Sequence, residues 1–332
     1  MKKLITLYIL FEIYIICQAQ DPQFSQFYAV PLYLGPSYAG TTKGSRVNLN
    51  YRNQWPALGK SFTTIAFSYD HYFYKFQSGL GVLFLRDRAG EGKLGITNAG
   101  FQYSFNIIVN KYWRIRPGVH FVYTQKSIDF SALTLPSGDF QGTSTQHTPL
   151  EKVLAFDFGT SILAYTNVHW FGFSVDHLTQ PNLSLYETEE YKLPIKYQVF
   201  GGTRLTKRGR LIRSMSESLN GSFLFKTQGG KHQLDFGGYW YKEPLMIGVW
   251  LRALPFYKIG DKRYIFSRDA LILMAGYKVE NMSFAYSFDA TISNLLITKT
   301  AGSHEISMMY LFNQEWERMK RPKKRPVPCP TF

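Results

Sequence analysis

The chain has 332 residues, a formal net charge of +15, and only 18% charged but 17% aromatic residues, with 27 Gly, 27 Phe and 23 Tyr. Cys17 falls in a segment expected to be removed and Cys329 then stands alone, which excludes a disulfide framework and a cysteine-based zinc cluster. The length suits one large all-β unit, and in an exported chain the positive surplus points to acidic lipopolysaccharide or a protein partner; nucleic acid is not expected.

The first element is a signal peptide over residues 1–19. Lys2 and Lys3 precede an apolar run from Leu4 to Ile16, and Cys17-Gln18-Ala19 supplies small residues at cleavage spacing, so the mature chain starts near Gln20 or Asp21. As a membrane anchor the run is short and carries Glu12, and bulky Ile16 argues against a lipoprotein acceptor at Cys17. No later stretch approaches the roughly 20 apolar residues of a spanning helix.

Residues 20–43 form a periplasmic leader that holds Phe24, Phe27, Tyr28, Tyr33, Tyr38 and three prolines. So much apolar surface is costly to leave in water. The segment is expected to pack at the barrel mouth as a plug entering from the periplasmic side, with a short helix under the barrel or a loose leader as alternatives.

Period-two alternation then places fourteen strands, near 44–54, 61–72, 77–88, 94–108, 112–126, 153–166, 168–177, 195–206, 219–228, 231–241, 245–253, 269–279, 281–290 and 302–312. The clearest is Asn281 to Asp289, where Met282, Phe284, Tyr286 and Phe288 share one face and Ser283, Ala285, Ser287 and Asp289 the other. Aromatics filling one row and small or polar residues the other is how lipid-facing and lumen-facing rows divide in a membrane barrel. The expected fold is therefore an all-β transmembrane antiparallel barrel over residues 44–313. An even strand count puts both ends of the wall in the periplasm. Tight inner turns and long outer connections at Ser127 to Lys152, Leu178 to Pro194, Ala253 to Arg268 and Thr291 to Ala301 agree with that orientation. The short Gln228 to Lys231 and the long, basic Lys207 to Ser218 fit it less well.

Strand parity turns Arg46, Arg52, Asp70, Arg114, Arg116, Asp157, Asp176, Lys196, Arg204, Lys226, Asp235, Asp289 and Glu305 inward. Both signs spread over many strands form either a structural network that fills a narrow interior or a set of groups for a partner segment or solute. After the last row, Ile306, Met308, Tyr310 and Phe312, residues 314–332 carry Arg318, Lys320, Arg321, Lys323, Lys324, Arg325 and Cys329. This is either a solvated charge run or a periplasmic docking tail.

No catalytic, cofactor or metal site is expected. Gly35 to Gly40 has one residue too many for GxSxG, and there is no HExxH. His71, His169 and His177 share outward parity, and no Ser can be placed beside them.

Several ordered motifs resemble the PorP/SprF family of Bacteroidota outer-membrane proteins. They are Asp21-Pro22-Gln23-Phe24-Ser25-Gln26, Pro36-Ser37-Tyr38-Ala39-Gly40, Tyr51-Arg52-Asn53-Gln54-Trp55-Pro56, Phe62-Thr63-Thr64, Ser68-Tyr69-Asp70, His177-Leu178-Thr179-Gln180-Pro181-Asn182, Phe225-Lys226-Thr227-Gln228-Gly229 and Gly302-Ser303-His304-Glu305-Ile306-Ser307. The resemblance covers nearly the whole mature chain. It implies an integral barrel of type IX secretion and gliding, with secretion components as partners. Its role is either general or the export and surface anchoring of one large protein, such as an adhesin, with a C-terminal sorting domain. The other function weighed is an outer-membrane transport barrel for a small or hydrophobic solute.

Overall fold

A computed structural model describes residues 21–42, 44–58, 62–90, 94–129, 152–185, 190–205, 217–259, 262–292 and 297–312. The expected signal peptide and the tail, with Arg318, Lys320, Arg321, Lys323, Lys324, Arg325 and Cys329, lie outside the described residues. The wall comprises β1 (Ser45–Gln54), β2 (Phe62–Phe73), β3 (Ser78–Ala89), β4 (Leu94–Phe105), β5 (Ile107–Ile108), β6 (Arg114–Ser127), β7 (Lys152–Tyr165), β8 (His169–Asp176), β9 (Lys196–Arg204), β10 (Glu217–Gln228), β11 (Lys231–Lys242), β12 (Leu245–Ile259), β13 (Lys262–Val279), β14 (Met282–Thr291) and β15 (Ser303–Phe312). β4 and β5 are parted by Asn106 alone and both pair with β6, so they make one wall strand. The result is a closed antiparallel barrel of fourteen described strands. The ring shuts where β1 meets β15, with Ser45 opposite Phe312 and Gln54 opposite Ser303.

Alternation sorts the rows. Phe101, Tyr103, Phe105, Phe284, Tyr286, Ile306 and Tyr310 are exposed on the outer face, whereas Gln102, Ser104, Ser283, Ser287 and Asp289 are buried. This inversion of the water-soluble pattern suits a lipid-facing exterior and a polar interior. β12 and β13 differ from expectation. They continue past Ala253 as a paired hairpin up to Ile259 and Lys262, across a register shift between Arg252 and Ala253. Most of the segment expected as a long loop is therefore strand. Pro255 and the basic residues around it hid the alternation, although proline is tolerated beside such an irregularity.

One end of the barrel carries mostly tight turns, at Tyr74–Phe76, after Ile108, after Tyr165, after Lys242 and after Val279, with the longer β9–β10 connection among them; the other carries most of the longer connections, although β10 and β11, and β12 and β13, are joined there by two residues each. The leader lies inside the wall and runs between these two ends, further than the expected position at the mouth. Asp21 bonds Gln228, the last residue of β10 at the long-loop end. Helical turns at Phe27–Ala29, Pro31–Leu34 and Pro36–Tyr38 then descend to Gly40, whose N–H donates to Asp70 of β2 near the tight-turn end at 2.7 Å. Two wall glycines make room for this path. A Cβ on Gly79 would lie 2.0 Å from the Ala39 carbonyl oxygen, and one on Gly118 would lie 2.4 Å from the Ser37 nitrogen. Midway, Tyr28 stacks on Trp250 at 5.2 Å and on Tyr239 at 6.2 Å between ring centroids, and all three rings are buried. Burial of these rings, with Phe27, Leu32, Leu34 and Tyr38 of the leader in the same apolar cluster, holds the leader in place.

Candidate functional site

Three polar clusters grip the leader. At the tight-turn end, Arg46 pairs with Asp70 through Nε at 2.8 Å and Nη2 at 3.1 Å, and also donates to the Tyr38 carbonyl. Arg116 donates to the Ala39 carbonyl at 2.5 Å and to Ser104 Oγ at 2.6 Å, while Ser161 Oγ accepts from the Ser37 N–H at 2.8 Å. Buried backbone groups of an irregular segment need partners, and here wall side chains provide them.

The second cluster straddles the closing seam. Arg52 of β1 pairs with Asp289 of β14 at 2.9 Å and with Glu305 of β15 at 3.3 Å, and Arg252 of β12 joins Asp289 at 3.0 Å to Asp235 at 3.1 Å. Leader residues complete it. The Ser25 and Gln26 N–H groups donate to the two oxygens of Glu305 at 2.6 and 3.2 Å, and the Ser25 hydroxyl donates to Asp289 at 2.5 Å and accepts from Arg52. Gln26 also donates to Ser287 and accepts from Ser307. Charge-assisted bonds of this kind are stronger than neutral ones and fix geometry.

The third cluster lies at the long-loop end. Asp21 Oδ2 accepts from His177 Nε2 and Lys196 Nζ, both at 2.8 Å, and Asp21 Oδ1 accepts from Gln228 at 3.2 Å. His177 Nδ1 is held by Asp157 at 2.5 Å, and Lys196 also meets Asp176 at 3.0 Å. Burial works against charge on His177, but Asp21 and Asp157 outweigh it and hold the imidazole up to about 10. Burial likewise opposes the Asp21 carboxylate, yet His177 and Lys196 keep it well below the usual carboxylate range.

The expected inward residues are thus distributed as follows. Arg46 and Asp70 form the first cluster, Arg52, Asp235, Asp289 and Glu305 the second, and Asp157, Asp176 and Lys196 the third. Arg204 is half-buried at the tight-turn end of β9 and ion-pairs with no described carboxylate; Lys226 makes no ion pair within bonding distance of a described carboxylate but lies between the second and third clusters, lining one cavity with Asp235, Asp21 and Lys196.

Two expectations about histidine are overturned. His177 points inward, because β8 ends at Asp176 and a φ of +63° at His177 breaks the alternation that had turned it out. A serine does sit beside an outward histidine: Ser45 Oγ lies 2.7 Å from His71 Nδ1. Antiparallel pairing of β1 with β2 sets them directly opposite, which a strand-by-strand reading misses. Asp70 faces the lumen with Arg46, and no described residue bonds His71 Nε2, so the pair lacks the orienting acid of a triad. Sequence reasoning also missed Arg252, although Leu245, Ile247, Val249 and Leu251 alternate with Met246, Gly248, Trp250 and Arg252 and would have turned it inward. Among the described residues no His, Cys, Asp and Glu group could hold a metal ion.

A family model for "Type IX secretion system membrane protein PorP/SprF" matches residues 16–310. Among solved structures, the chain is similar to the Acinetobacter baumannii outer membrane protein Omp33, at 8% identity and a TM-score of 0.43, over 81% of this chain and 99% of that one. It is also similar to the CymD monoaromatic hydrocarbon channel, at 10% identity and a TM-score of 0.45, over 86% and 93%. A Pseudomonas aeruginosa FadL homologue matches at 12% identity and a TM-score of 0.42, over 80% and 89%. No curated protein matches.

Proposed function

Since the chain belongs to the PorP/SprF family of type IX secretion system membrane proteins, we propose that this outer-membrane barrel serves one large secreted protein with a C-terminal sorting domain. Its work is to assist that protein's export or to hold it at the cell surface. In this reading the long-loop end faces outward and meets the cargo and lipopolysaccharide, and the leader acts as a plug. The basic tail docks on a periplasmic component of the secretion apparatus.

The observation that carries the reading is the occupied lumen. Twenty-two leader residues, 21–42, lie within the ring of strands and are bonded to the wall at several places round it. A barrel that passes solute has need of a path, whereas one that presents a docking surface profits from a rigid, closed interior.

The test compares secreted and surface-attached proteins, quantitatively, between wild-type cells and cells lacking this chain. Loss of one large surface protein with other type IX cargo unchanged is expected. An unchanged profile would sink the reading and move solute transport to the front.

A further inference from the structure

The outer face of the wall carries a recess of about 390 Å³ near the tight-turn end, lined by Ser45, Tyr69, His71, Leu80, Val82 and Phe101 among others. Strand pairing explains it. Ser45, His71 and Leu80 stand in one row across β1, β2 and β3, and Tyr69, Val82 and Phe101 in the next across β2, β3 and β4. Ser45, Leu80 and Val82 are short beside the rings around them, so the wall dips between Tyr69, Phe73 and Phe101. At roughly 3.3 Å per residue, His71 lies about 7 Å from the end of β2, whereas Val82 and Phe101 lie about 13 Å from the ends of β3 and β4. Polar groups thus sit at the rim, where Tyr69 stacks on Phe312 at 6.1 Å, and exposed Val82 and Phe101 continue toward the middle of the membrane. One donor at the rim is unmet. Tyr69 Oη donates to Ser45 Oγ at 3.4 Å, so the proton of Ser45 is left for His71 Nδ1 at 2.7 Å. A ring nitrogen that accepts carries no proton, which puts the N–H of the neutral imidazole on Nε2. No described residue accepts from it, and an N–H left to face hydrocarbon is costly.

We propose that this recess is a binding site for one glycerophospholipid, with a phosphate oxygen accepting from the His71 Nε2–H and an acyl chain lying over Leu80, Val82 and Phe101. The occupant follows from the position. The outer wall of an outer-membrane barrel meets lipid, and whatever covers this patch has to offer an acceptor at the rim and hydrocarbon below it. A phosphate at headgroup level is such an acceptor, and its charge makes the bond stronger than one to a neutral ester carbonyl. The volume lies within the roughly 300–1,000 Å³ of sites that hold small molecules. Only the leaflet, and with it phospholipid rather than lipid A, rests on the orientation in the function proposed above, which turns the tight turns to the periplasm.

The experiment uses the full barrel, washed free of bound lipid in detergent micelles. Native mass spectrometry counts the lipid it takes up from added phosphatidylethanolamine, from diacylglycerol with the same chains, or from lipid A. The wild type is expected to hold one phosphatidylethanolamine several-fold more tightly than either of the others. H71F, which keeps a ring and loses the N–H, should lose the preference over diacylglycerol, and V82W, which fills the floor of the recess, should lose both lipids. V249W, at an exposed outer position on β12, should behave as the wild type. Equal uptake of phosphatidylethanolamine and diacylglycerol by the wild type, or an undiminished preference in H71F, would overturn the site. Should H71F not fold, V82W decides: loss of the lipid there but not in V249W supports the recess, and retention refutes it. Tighter uptake of lipid A, abolished by H71F, would overturn the phospholipid and the orientation together. The cargo reading is decided separately: an intact set of surface proteins in cells lacking the chain sinks it and leaves phospholipid uptake to decide the recess.

Discussion

Glu305→Ala should undock the leader. Glu305 is fully buried, accepts the backbone N–H groups of Ser25 and Gln26 at 2.6 and 3.2 Å, and pairs with Arg52 at 3.3 Å. The Arg52 pair lies within the wall and survives undocking, so what the leader itself loses is two hydrogen bonds to a charged acceptor, each worth about 1.5–3 kcal/mol, or about 3 kcal/mol together at the lower end. At about 1.4 kcal/mol per factor of ten, this raises the undocked fraction of the leader roughly a hundredfold. The assay is maleimide labelling of a cysteine at buried Ala29 (A29C) in a C329S background, in micelles. E305A should speed labelling about a hundredfold. E305Q, which keeps an accepting oxygen, should speed it about tenfold. The surface variant E217A, which loses only an exposed bond from Trp240 at 2.8 Å, should leave it unchanged. A folded E305A barrel that labels A29C at the wild-type rate would refute the seam cluster as an anchor of the leader.

Docking should also depend on pH through the long-loop cluster. His177 holds its proton to about 10 when docked; undocking removes Asp21 but leaves the Asp157 bond, so docking gains only the Asp21 part of that raised affinity, a contribution present at neutral pH and lost as pH rises through about 10. Asp21, depressed when docked, contributes above its ordinary value of 3.8 and loses that contribution as pH falls below it. Divided by the rate of an exposed cysteine, which carries the thiolate's own rise with pH, A29C labelling should therefore be slowest between those limits and accelerate toward pH 10, and H177Q should flatten that relative alkaline rise; an unchanged relative profile in H177Q would refute the assignment. Gly79→Ala and Gly118→Ala each drive a Cβ into the leader backbone and should open a conductance in planar bilayers that the wild type lacks; closed variants would contradict the close approach. Trp250→Ala removes the largest fully buried side chain among the described residues and with it the Tyr28 stack. It should cost about 3–5 kcal/mol, read as a lower unfolding midpoint in urea.

The wall was legible because a two-residue period is unambiguous wherever one face is greasy and the other wet. Where that contrast fails, reading fails with it, as in the hairpin beyond Ala253, where proline and basic residues imitate a loop. Parity also assumes an unbroken strand, and the left-handed backbone at His177 turned a side chain that simple alternation would have sent to lipid. Aromatic and proline content foretold that the leader packs, but its path was not legible. That path depends on partners more than 200 residues away, such as Glu305 for Ser25 and Gln228 for Asp21.

The seam cluster ties two events into one. Arg52 lies on the first wall strand and Glu305 on the last, and Ser25 touches both. Closing the ring without the leader would strand acceptors on Glu305 and Asp289, and seating the leader before the ring closes would leave its Ser25 and Gln26 amides bare. Leader and last strand thus form a single latch, in which a weakness on either side is felt as reluctance of the whole cylinder to shut.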